Sequence, residues 1–212
     1  MGARFATPPS GMPIVSGVDV LWLGAFNRVS ARVAHELKGA LNGVSVNLEV
    51  VRSRAEKPDS PASAVKTYAN SAVAQFDIVI DMSAALLVLA REPRSPVEIA
   101  STLRNVVTLL ERSAKADGRA LELEGSLDDL GATSAEGNAA RLAIAECLLA
   151  AIDSSPHVVA GAVADDAGVT VKIESRGGAE LRQPDRAVVD ALRDAGIRIQ
   201  AVPSAISISF PR

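Results

Sequence analysis

Two apolar stripes at helical spacing, separated by a proline-rich break, constrain this chain more than any other feature. Between residues 18 and 57 there is no proline. Apolar side chains recur there in steps of three and four: Val33, Leu37, Ala40 or Leu41, Val44, Leu48, Val51 and Ala55. Asp19 is placed to cap this helix, and Glu56-Lys57-Pro58 ends it, because proline disfavours helix in the residue before it. After the turn signal Lys57-Pro58-Asp59-Ser60-Pro61 comes a second stripe: Val65, Ala69, Ala72, Phe76, Val79, Ser83, Leu86 and Ala90. Its alternation of four and three is a heptad pattern, and Pro93 and Pro96 terminate it. Helices over 18–57 and 62–91 joined by so short a turn make an antiparallel hairpin. One hairpin covers only part of its own apolar surface. Pairing two hairpins across a two-fold axis into a four-helix bundle covers the rest, so a homodimer is expected; the alternative is that the hairpin packs on the second half of its own chain.

Composition narrows the partners. Aromatics are 3% of the 212 residues, so the core is built from Ala, Val, Leu and Ile. A formal charge of −3 gives no basic footprint for nucleic acid and no polybasic membrane anchor. The longest uninterrupted apolar candidate, 82–90, stops at Arg91, short of the roughly 18 residues a membrane span needs. Residues 1–17, with three prolines and three glycines, read as a flexible tail without the apolar core of a signal peptide. A cytoplasmic protein that does not enter the membrane is the expectation. Cys147 stands alone in an apolar helical run, which suits a small core residue in a reducing compartment.

From residue 95 the texture changes. Ser95-Pro96-Val97-Glu98 reads as a cap, a proline at the first helical position and a glutamate at the third, opening a helix over 96–115. A strand over 119–124 follows the Asp117-Gly118 turn, and 138–153 is a strongly apolar helix. Strands over 157–164 and 169–175 are joined by Asp165-Asp166-Ala167-Gly168, a hairpin signal. A helix over 184–195 leads through Gly196 to strands over 197–201 and 205–210. The sum is an α+β chain with helices on one face of a sheet. The expected organisation is a tail at 1–17, a helical hairpin at 18–93 and an α/β layer at 94–212. His157 has no Cys or carboxylate at ligand spacing, so no metal site is expected. Walker A, His-Glu-x-x-His and Gly-x-Ser-x-Gly patterns are all missing.

The chemistry-bearing residues sit in the first stripe: His35-Glu36-Leu37-Lys38-Gly39-Ala40-Leu41-Asn42. His35 lies off the apolar seam, and Lys38, Gly39 and Asn42, three, four and seven residues on, share its face. An imidazole in its neutral form offers a ring nitrogen that can attack phosphorus, with Glu36 placed to hold the other nitrogen. The pattern His-Glu-Leu-Lys-x-x-Leu-Asn resembles the phospho-acceptor box of sensor histidine kinases, whose helix belongs to a dimeric four-helix bundle. That resemblance implies His35 as phospho-acceptor, with Glu36, Lys38 and Asn42 beside it.

The element order of the second half is similar to the Bergerat-type α/β sandwich that binds ATP in those kinases. The residues that would bind ATP are missing. The Mg²⁺-holding amide of the family's asparagine box falls near Ala151, and Ser175 takes the place of the adenine-reading aspartate ahead of Gly177-Gly178. Glu174 is turned to the wrong face by strand alternation, and only about seventeen residues separate Gly178 from Gly196, leaving little for a lid. The whole resembles histidine phosphotransferases of the ChpT type. By that resemblance His35 takes a phosphoryl group from a receiver-domain aspartate and passes it to another response regulator. The receiver would supply Mg²⁺ and a lysine, so no bound cofactor is expected, and the degenerate domain would be a second docking surface. Gly39 stands where bifunctional kinases carry Thr or Asn, which implies weak phosphatase activity. The alternatives are a dimeric scaffold that binds a receiver without carrying phosphate, and a kinase with divergent nucleotide contacts.

Overall fold

The computed structural model describes residues 16–57, 61–91 and 97–212. Most of the expected tail, the turn residues 58–60 and the Ser95-Pro96 cap lie outside the described residues.

Helix α1 (Gly17–Ala55) runs 39 residues and α2 (Ala62–Ala90) 29, and they pack against each other as an antiparallel hairpin. Ser16, rather than Asp19, is the N-cap of α1. The Ser16 Oγ accepts from Asp19 N at 3.1 Å while Ser16 N donates to Asp19 Oδ2 at 3.0 Å, a reciprocal capping box. The buried line of α2 is rotated from the expected one. Ala72, Met82, Ala85 and Leu89 are buried, whereas Phe76 is 50% exposed and Ala90 is also outside. Adjacent heptad lines share Ala72, Val79 and Leu86, and only the position of α1 decides between them.

α2 departs from the sequence reading in the length of its apolar segment. Val65–Ala90 is long and apolar enough, by length and composition, to cross a membrane, with mean hydropathy 1.9. Asp77 and Asp81 lie within it, and α1 and α3 pack along it.

The remainder comprises β1 (Val97–Glu98), α3 (Ile99–Ala116), β2 (Ala120–Leu123), β3 (Ala132–Thr133), α4 (Gly137–Ser154), β4 (His157–Asp165), β5 (Gly168–Ser175), α5 (Arg186–Asp194), β6 (Arg198–Val202) and β7 (Ala205–Pro211). α3 begins three residues later than expected, because Val97 and Glu98 pair with Thr133 and Ala132. Glu98 is the helix N-cap and makes no side-chain capping bond. The main sheet has order β2-β4-β5-β7-β6, parallel between β2 and β4 and antiparallel elsewhere.

Strand alternation sorts the two faces of this sheet. Val158, Ala160, Val169, Val171, Ile173, Ile206, Ile208 and Phe210 point into the core. Thr170, Lys172, Glu174, Ser207 and Ser209 occupy the other face, so Glu174 does turn away from the core as strand alternation requires. Gly168 closes the β4–β5 turn at φ 150°, where an added Cβ would meet Phe210 O at 2.0 Å. Asp165 Oδ1 accepts from Ala167 N and Gly168 N there.

α4 lies between the sheet and α1. Every residue from 139 to 152 is buried, which accounts for its apolar sequence all round. The core is therefore one continuous cluster, running from Val18, Trp22, Ala25, Val29 and Val33 of α1 through α3 and α4 to the sheet.

Candidate functional site

Three polar links join α1 to α4. Asn138 Nδ2 donates to Asp19 Oδ1 at 2.7 Å, Arg28 Nη2 pairs with Glu146 Oε1, and Arg32 Nη2 pairs with Asp153 Oδ1 at 2.7 Å. Along α1 these positions increase as they do along α4, so the two helices run parallel. Between the links lie Trp22, Ala25 and Val29, all buried. Arg141 of α4 also reaches the end of α2, donating to the carbonyls of Arg91 at 2.7 Å and Val88 at 3.2 Å. A cation at the carbonyl end of a helix meets its dipole favourably. Both hairpin helices are thus tied to α4.

The electrostatics follow from this packing. The Asn138 amide and the Ser16 groups hold the Asp19 carboxyl below its ordinary range. Burial pushes the Glu146 carboxyl up, the Arg28 guanidinium opposes it, and Asp185 adds to the rise. Burial also pushes the Cys147 thiol far up, which makes it an inert core group.

His35 lies one turn beyond Arg32 on the same face of α1. His35, Lys38, Gly39 and Asn42 are exposed, and Glu36 is half-buried. The helix therefore gathers His35, Lys38 and Asn42 on one accessible face, with Glu36 on the flank. The other histidine, His157, starts β4 with Nε2 3.1 Å from Glu122 Oε1. Among the described residues no cluster of three His, Cys, Asp or Glu is placed to hold a metal ion.

Gly39 has no packing reason to be glycine. An added Cβ meets nothing within 4 Å there, whereas at Gly43 it would lie 3.3 Å from Gln75 Cγ of α2. Glycine inside a helix costs about 1 kcal/mol relative to alanine. Gly39→Ala is therefore expected to raise unfolding stability by about 1 kcal/mol, and Gly43→Ala by less. Urea titrations at one protein concentration measure both. A larger gain at position 43 would contradict the open space beside His35.

At the two positions that the resemblance compares with ATP contacts, one side chain is buried and the other half-buried. Ala151 is fully buried, and Ser175 Oγ lies 2.9 Å from Ser155 Oγ. The short segment after Gly178 is strapped down, with Leu181 N donating to Pro203 O at 2.6 Å and Arg182 N to Ser154 Oγ at 2.9 Å. What remains between α1, α4 and this strap is a cleft of about 320 Å³, lined among others by Arg28, Arg32, Glu146, Asp153, Arg182 and Asp185. Two of its three guanidinium groups are already paired with carboxylates.

Sequence reasoning put His35, Lys38 and Asn42 on an outward face, and they are exposed; it did not foresee the ion pairs of Arg28 with Glu146 and of Arg32 with Asp153. Arg28 and Arg32 share the His35 face by spacing, and that was the available signal. Their partners, more than a hundred residues on, left none.

No family model matches the chain, and no curated protein matches it. Among solved structures it is similar to the Acinetobacter baumannii histidine kinase AdeS, with TM-score 0.43 and 15% identity over 84% of this chain and 97% of that one. It is likewise similar to the cytoplasmic segment of histidine kinase QseC, with TM-score 0.42 and 12% identity over 74% of this chain and 99% of that one.

Proposed function

We propose that this protein is a phosphorelay histidine phosphotransferase acting in the cytoplasm, with His35 as the group that carries phosphate. One observation carries the reading: the histidine of the acceptor motif is exposed on α1, open to a protein partner. The resemblance puts the Mg²⁺-holding amide and the adenine-reading carboxylate of a nucleotide site at Ala151 and Ser175, and neither side chain can supply that group. An accessible nucleophile without a nucleotide site must receive its phosphoryl group from another molecule.

The donor is the aspartyl phosphate of a receiver domain. A ring nitrogen of His35 forms a bond to phosphorus as the P–O bond to the aspartate breaks, and the carboxylate leaves with that electron pair. The second transfer is the reverse step onto another receiver. In-line positioning and charge stabilisation supply most of the catalysis. The receiver brings Mg²⁺ and a lysine, so this chain needs no cofactor of its own. Glu36 holds the second ring nitrogen, and Lys38 and Asn42 line the approach.

A second copy of the chain is the proposed cover for the hairpin. Leu41 and Leu48 of α1 and Val73, Phe76 and Ile80 of α2 are large apolar side chains left exposed. Pairing them across a two-fold axis completes a four-helix bundle.

The test is to incubate the protein with labelled ATP, and separately with a labelled phospho-receiver. Label from the receiver alone is the expected result. Label from ATP alone would make the protein a kinase with divergent nucleotide contacts. No label from either would leave a receiver-binding scaffold.

A further inference from the structure

Arg32 precedes His35 by three residues, which puts their Cβ atoms about 5–6 Å apart on one helix face. Helical side chains lean toward the N-terminus, so the His35 ring lies back over the turn that carries Arg32. The Arg32 guanidinium is occupied, 2.7 Å from Asp153 Oδ1. Asp153 has a second cation, with Arg119 Nη1 at 3.9 Å. If Arg32 leaves, Asp153 keeps a partner, and its side chain is 38% exposed to water in any case. Arg28 has no such freedom. Its partner Glu146 is only 10% exposed, and removing the guanidinium would strand a carboxylate near Asp185.

We infer that Arg32 is a phosphoryl-binding residue, passing from Asp153 to the phosphoryl oxygens when His35 is loaded. This rests on the reading of His35 as the phosphate carrier. A phosphoryl group offers more negative charge than a carboxylate and three acceptor oxygens. A planar guanidinium meets two of them at once. The P–N bond forms at His35 as the partner's P–O bond breaks, and Arg32 takes up the charge that arrives with the phosphoryl group. The same move releases one of the three links between α1 and α4, so loading loosens the contact of the second domain beside the histidine.

The test has one arm that needs a receiver and one that does not. In the first, single-turnover transfer from a phosphorylated receiver is timed for Arg32→Gln, Arg32→Lys and Asp153→Asn. Arg32→Gln is expected to slow transfer about tenfold or more, Arg32→Lys to recover part of the rate, and Asp153→Asn to match or exceed the wild-type rate, since it frees Arg32. Urea midpoints should fall in both variants, and in Asp153→Asn at least as far, because it loses Arg119 as well as Arg32. A merely structural pair predicts that both variants slow transfer alike, and that result overturns the inference.

In the second arm, phosphoramidate loads His35 chemically, transferring its phosphoryl group to the imidazole and releasing ammonia. The phosphohistidine ³¹P resonance, assigned by its loss in His35→Ala, should move in Arg32→Gln and stay near the wild-type position in Asp153→Asn. An unmoved resonance in Arg32→Gln overturns the inference. Should the receiver fail to label wild-type protein while the phosphoramidate arm behaves as expected, the relay reading falls and the role of Arg32 stands.

Discussion

A chain carrying His35→Gln is expected to take up label from a phospho-receiver at least about a thousandfold more slowly than wild type, the scale of losing a nucleophile that no neighbour replaces. Glutamine keeps the size and polarity of the side chain but offers no ring nitrogen to attack phosphorus. Because position 35 is exposed on a helix, the exchange should change stability by no more than about 0.5 kcal/mol, so lost label reports lost chemistry. His157 is the control. It starts β4 beside Glu122 on another element, and His157→Gln should keep the wild-type rate. Phosphohistidine survives alkali and is cleaved by acid, so the label on wild type should show that stability. Label persisting in His35→Gln, or lost in His157→Gln, would put the carrier elsewhere and remove the basis of the relay reading.

The parts of this protein that were legible from sequence are those whose signal is local. The hairpin helices show in 3.6-residue periodicity, and α4 shows as a helix without a polar face, which forecasts burial all round. The β4–β5 turn shows in Asp165 and Gly168, the first capping backbone N–H groups and the second admitting a close approach to Phe210. Local pattern gave the wrong phase for α2, because two adjacent lines both look apolar and only α1 selects one. It gave no hint of β1 and β3, since two residues cannot display a period of two. The exposed face of His35 followed from spacing alone. The cleft beside it did not, because Arg28 and Arg32 look like ordinary solvated cations until α4 arrives. Whether the second half binds ATP was judged from missing residues.

The packing of α1 on α4 gives the second large expected effect. Val29 is fully buried at the centre of the α1–α4 contact, between the Asp19–Asn138 and Arg32–Asp153 links. Val29→Asp forfeits the burial of a valine, about 1.5–3 kcal/mol, and places a carboxylate in the apolar seam with Ala25 and Val33. The combined cost is expected to be about 3–5 kcal/mol. The most economical response is local: the first half of α1 lifts from α4, while the sheet, α3 and α4 keep their shared core. Trp22 reports this directly, being the single tryptophan of the chain and buried one turn or more from each of these links. Its emission should shift to the red in native buffer, while far-UV circular dichroism keeps most of its helical signal. Val29→Thr, close in shape and uncharged, should show a much smaller shift. A blue, wild-type-like Trp22 emission in Val29→Asp would mean that α1 is held by something other than this seam. The release also bears on function, because α4 would gain an open face. If Val29→Asp protein then bound ATP where wild type does not, docking of α1 would be what closes the site; if neither binds, the missing amide and carboxylate at Ala151 and Ser175 suffice.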